Sequence, residues 1–177
     1  HAAIAYIQTK KRNSINKIRN ENYQYLCERI NNELSIYLVT QKITHLTTYY
    51  AYTAAFKWCE NKTGVHRDVI ADALIAEGIP VFKGYHRLMC DHPMFKRKIA
   101  FGRKHYPWFD DSINYNSVSV PNARQLVDNE FLGFLQTGYP NTKKDMDNIV
   151  DAFHKIITNI KSLKAYTAEK NTLSIGR

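Results

Sequence analysis

Apolar residues near the start of the chain recur at helical spacing. Ile4, Ile7, Ile15, Ile18, Leu26 and Ile30 are separated by Gln, Lys, Arg and Asn, with no Gly or Pro between them. This predicts one long helix over residues 2–33. It starts at the first residue with no N-cap before it, and that residue is His rather than Met. The expectation is a chain cut from something longer. Residues 35–39 and the Tyr- and Thr-rich stretch 46–58 read as strands. Val69, Ile70, Ala73 and Leu74 give a helix over 67–77, ended by Gly78, and Ile79 to Phe82 follows as a strand. Between Lys83 and Val120 the periodicity fades, and Gly84, Pro93, Gly102 and Pro107 mark a long loop region. Pro121 opens a helix over about 121–129, and residues 130–136 form a strand. Thr142 with Asp145 begins a last helix, whose apolar stripe runs from Met146 to Ile160. The sum is an α+β fold, a small, mostly antiparallel sheet packed on helices with a long N-terminal helix. One domain is expected over 1–161, with a polar tail over 162–177.

Composition narrows the class of molecule. The 177 residues are 44% hydrophobic, enough for a core, and contain no apolar run long enough to span a membrane. No secretory leader is evident. Cys27, Cys59 and Cys90 are odd in number and far apart, which fits neither a disulfide framework nor a paired-cysteine metal site. A reducing, cytoplasmic setting is expected. The net charge of +9 favours anionic partners. Its densest cluster is Lys96, Arg97 and Lys98 with Arg103, Lys104 and His105 following, which also reads as a solvated basic loop. A stand-alone basic module, binding nucleic acid for example, is therefore the alternative function class. Tyr49, Tyr50 and Tyr52 could stack bases, but they equally suit a half-buried strand, and no nucleic-acid-binding motif accompanies them.

The candidate chemistry is concentrated after the third strand. Tyr85, His86 and Arg87 follow Gly84 at a strand end, where α/β domains place groups that face a ligand. Tyr and His can hydrogen-bond hydroxyls, and Arg can grip a carboxylate with two parallel bonds. A Tyr that only braces the loop remains the alternative. His86, Cys90, Asp91 and His92 could be drawn as metal ligands, but their spacing matches no known set, and no metal is expected. No phosphate-cradling glycine loop, HExxH or GxSxG is present.

Four stretches, in order, resemble the DegT/DnrJ/EryC1/StrS family of sugar aminotransferases: "HAAIAYIQTKKRNSINKIRNENYQYL", "RDVIADALIAEGIPVFKGY", "HPMF" and "VPNARQLVDNEFLGFLQTGYPNTKKDMDNIVDAFHKI". The resemblance covers about residues 1–160. It implies the C-terminal small domain of the type I aminotransferase fold, in an enzyme that uses pyridoxal phosphate to move an amino group from glutamate or glutamine to a keto-sugar or cyclitol. It also implies a homodimeric parent. The lysine that anchors the cofactor belongs to the family's large domain, so none is expected here, and this chain alone should be inactive. By the same resemblance Tyr85 first, and His86 second, touch substrate. The chain departs from the family where many members carry a Pro-containing loop ending in His. Here the loop reads "YHRLM", so that His has no clear counterpart.

Overall fold

The structure is a computed structural model that describes residues 1–41, 54–84, 87–101, 106–108 and 114–166. Helix α1 spans Ala2–Glu33, about 48 Å of helix. Strand β1 is Leu38–Thr40, β2 is Ala54–Trp58, and the short α2 is Glu60–Thr63. Helix α3 covers Arg67–Ala76 and β3 covers Phe82–Lys83. A one-turn helix α4 (Pro93–Lys96) lies between two 3-10 turns, Met89–Asp91 and Tyr115–Ser117. Helix α5 (Pro121–Gln125) runs into a π-helical turn, Leu126–Glu130, and then β4, Phe131–Phe134. Helix α6 is Lys143–Thr158.

The four strands form one antiparallel sheet in the order β1-β2-β4-β3. One face is the core side. Phe56, Trp58, Leu132 and Phe134 point there and are fully buried with Leu26 and Ile30 of α1, Ile70 and Leu74 of α3, and Ile149 and Phe153 of α6. Trp58 stacks on Phe153 with centroids 6.5 Å apart, and its indole N–H donates to the Val65 carbonyl at 2.9 Å. Polar ties close the layer. Buried Asn22 of α1 donates to the carbonyls of Thr137 and Asn141, which begin the approach to α6. Tyr25 donates to Asp147 at 2.7 Å, and Arg29 bridges Asp147 and Glu33. The first half of α1 is different. Residues 1–14 are exposed throughout, including Ile4, Tyr6 and Ile7.

Helix ends follow local chemistry. Gly78 adopts φ +83, its N–H bonds to Ile75, and the Ile79 N–H reaches back to Leu74, a left-handed stop that only Gly adopts without strain. At α6 the Thr142 backbone and hydroxyl both donate to the Asp145 carboxylate, which lowers the Asp145 pKa.

Several boundaries differ from expectation. The strand expected at 35–39 is 38–40, because the chain makes one more turn after α1, with Tyr37 and Leu38 donating to Leu34. The strand expected at 79–82 is 82–83: the Ile79 N–H is used in the helix stop, and Pro80 has none. The helix expected over 121–129 is α-helical for five residues and then widens into the π turn. The strand expected at 130–136 is four residues long. Of the strand expected at 46–58, residues 54–58 are observed and the remainder lies outside the described residues. Helix continues through 160–166 after a break at Asn159, and Leu163 packs on the core, so the first part of the expected polar tail is structured.

Candidate functional site

The three helices cover one face of the sheet; among the described residues the other is the open face, with Val39 and Lys57 exposed. On the open face Val39, Lys57 and Phe131 form one cross-strand row, and Ala55, Gly133 and Phe82 form the next. The Phe82 ring lies across Gly133, where a Cβ would collide with it, and tilts against Phe131 at 5.9 Å. Beside this face is a cleft of about 620 Å³ lined by Lys57, Cys59, Asn61, Gln125, Asn129 and Glu130. Its wall is a hydrogen-bonded series. Lys57 pairs with Glu130 at 3.0 Å, Gln125 donates to Glu130, and Asn129 donates to Gln125 at 2.9 Å. His66 continues it: its Nδ1 accepts from the Asp68 N–H, which leaves Nε2 to carry the proton toward Asn129 Oδ1.

At one edge of this face β3 ends at Lys83, and Gly84 follows it, immediately before the candidate substrate-contacting residues. Gly84 is buried with φ +64, and a Cβ there would sit 2.5 Å from the Val127 carbonyl. Both facts require glycine. Its N–H donates to the Phe131 carbonyl at 3.1 Å. That carbonyl also accepts from Arg67, the first residue of α3, at 2.6 Å. The Arg67 guanidinium further donates to the carbonyls of Asp128 (2.6 Å) and Val127, and its Nε to Asp68. Arg67 is 3% exposed.

Of the sequence-predicted site residues, Tyr85 and His86 lie outside the described residues, and Arg87 is exposed. Beyond them the loop is built on polar and aromatic contacts. Asp91 joins Lys96 at 3.0 Å to Arg124 at 2.9 Å, and these two cations hold its carboxyl down at about 2. Phe95 packs on Trp108 and Tyr115, and the Trp108 indole donates to the Tyr115 hydroxyl at 3.1 Å. Asp91 is thus engaged by cations of its own chain. Among the described residues no group of three or more His, Cys, Asp or Glu converges as metal ligands. No helix among them is long and apolar enough to cross a membrane.

Sequence reasoning missed Arg67 and the Lys57–Glu130 wall. Arg67 carried a signal, as an Arg at a helix start between His66 and Asp68, but a buried cation there depends on carbonyls sixty residues away. Lys57 and Glu130 are joined only by the β2–β4 register.

No family model matches the sequence, and no curated protein matches it. Solved structures do. The chain superposes on an aminotransferase from Psychrobacter cryohalolentis with a TM-score of 0.66 at 20% identity, over 90% of this chain and 38% of that one. The fold is shared with aminotransferases. DesI, solved in the presence of its TDP-sugar product, gives a TM-score of 0.59 at 14% identity, over 90% of this chain and 36% of that one. At these identities the likeness is one of fold. The chain spans well under half the length of either protein.

Proposed function

We propose that this chain is the small C-terminal domain of a pyridoxal-phosphate aminotransferase that moves an amino group from glutamate or glutamine to a keto-sugar or cyclitol. The observation that carries this reading is the shared fold, which takes in nearly the whole chain but little more than a third of the aminotransferases it resembles. Two features support it. The exposed first half of α1 presents Ile4 and Ile7, three residues apart on one face and suited to the surface of another domain. The open sheet face ends at Gly84, on a rigid base, immediately before Tyr85, His86 and Arg87.

In this reading the domain closes one side of a cleft and contributes to substrate choice through those three residues. Tyr85 and His86 would meet substrate hydroxyls, and Arg87 a carboxylate or phosphate. When bound, pyridoxal phosphate supplies the electron sink that transamination needs. Lys57 on the open face and Lys83 at the end of β3 do not fit the role of its anchor: Lys57 is paired with Glu130 and Lys83 with Asp72. The cofactor is therefore assigned to the large domain, and the chain alone is expected to be inactive. The parent is expected to be a cytoplasmic homodimer that does not bind nucleic acid.

The test is the native gene product. A mass well above that of these 177 residues, with visible absorbance quenched by borohydride and glutamate-dependent amination of a keto-sugar or cyclitol, supports the reading. A product of this length, colourless and inactive, would overturn it.

A further inference from the structure

We propose that Arg67 is a positioning residue, whose guanidinium locks the π turn, the start of β4 and Gly84 into one unit and so sets the direction in which the chain leaves β3. The link to substrate rests on the aminotransferase reading; the mechanical claim does not.

An arginine at the first position of a helix is ordinarily solvated, yet this one is 3% exposed. A buried cation is costly unless its donors are all used. Here Nε is taken by Asp68, and the two terminal nitrogens reach three carbonyls, those of Val127, Asp128 and Phe131. A helical segment leaves its last carbonyls without partners in the chain and carries partial negative charge there. The π turn ends at Glu130, so Arg67 is a cation set against that end. Two of the three carbonyls also define the site of Gly84. Phe131 O accepts its N–H, and Val127 O occupies the space a Cβ would need. Arg67 Nη1 itself would lie 3.6 Å from that Cβ. Loosening the guanidinium therefore frees both carbonyls that fix the last residue of the β3 exit. Lysine keeps the charge but lacks the planar fork: its three donors radiate from one nitrogen and cannot meet the three carbonyls and Asp68 together.

The experiment is residue-resolved amide hydrogen exchange on the full chain with Arg67→Lys. Exchange at Gly84 should accelerate about tenfold or more, while core amides of α3 and α6 stay near their wild-type rates. Unchanged exchange at Gly84, or an equal acceleration throughout, would overturn the proposal. Should Arg67→Lys fail to fold, Asp68→Ala removes the Nε acceptor and should give the same local pattern at smaller amplitude; a uniform or absent change there overturns it too. In the assembled enzyme Arg67→Lys should raise KM for the amino acceptor with cofactor absorbance preserved. An unchanged KM beside a loosened Gly84 would refute the substrate link. A wild-type protein with no transamination would remove the aminotransferase reading and leave the exchange data to judge Arg67 alone.

Discussion

The two faces of the sheet are held by different physics. The helix-covered face is apolar: Trp58, Phe56, Phe134 and Phe153 pack with leucines and isoleucines that exclude water. The open face and the loop beyond β3 combine a few ring contacts with ion pairs and with side chains that satisfy backbone carbonyls, as at Arg67, Asp91 and Lys57. Burial is non-directional and tolerates approximate shapes. A guanidinium reaching three carbonyls is directional and tolerates little. The first face suits a scaffold, the second a surface on which a ligand group must be aimed.

The comparison can be broken most severely on the packed face. Leu26→Ala in the second half of α1 should cost about 2–5 kcal/mol, read from urea unfolding, because Leu26 is fully buried. A cost below about 1 kcal/mol would mean that α1 is not part of the core. On the other face, Gly84→Ala meets both the positive φ and the Val127 carbonyl, and should cost roughly 1–3 kcal/mol. Its unfolding midpoint should fall while Leu74→Val, deep in α3, leaves exchange at Gly84 unaltered.

Tyr85→Phe sharpens the functional side. In the parent it should lower kcat/KM for the keto substrate by the worth of one hydroxyl contact, about 1–3 kcal/mol, with cofactor absorbance intact. An unchanged kcat/KM would leave Tyr85 a bracing residue.

Acid titration probes the seam between α1 and α6. Hydrogen bonds from Arg29 and His154 hold the Glu33 carboxyl near 2, against an ordinary 4.5. A depressed carboxylate stabilises the fold above its ordinary pKa, and that stability is lost as pH falls from about 4.5 toward 2. The group is exposed enough that the effect is small. Glu33→Gln should flatten the stability profile in that window, and an unaltered slope would show the seam to be energetically idle. Smallest of all, Ile4→Ala should change the stability of this chain by less than about 0.5 kcal/mol, since Ile4 is exposed. The same change in an assembled parent should cost more, and the contrast measures how far another domain covers α1.

Much of the fold was legible. The 3.6-residue periodicity placed α1, α3 and α6, because each must bury one stripe, and Gly78 and the Thr142–Asp145 pair marked helix ends through local backbone chemistry. Strand ends were less legible: β1 and β3 are two or three residues long, too short for a period to show, and their limits follow from which N–H groups the neighbouring turns have already used. The candidate loop was located by Gly84, but its base was not. The Arg67 contacts join positions sixty residues apart, and no local pattern encodes such a distance.

By itself, then, the sequence determined an α+β chain with a long first helix, the limits of α1 and α3, the start of α6, a basic charge and the position of a polar loop, since all of these follow from local spacing and composition. The tertiary structure decided the strand order, which sheet face is open, and the burial of Arg67 against the π turn. Those depend on groups that the chain brings together only when it closes on itself.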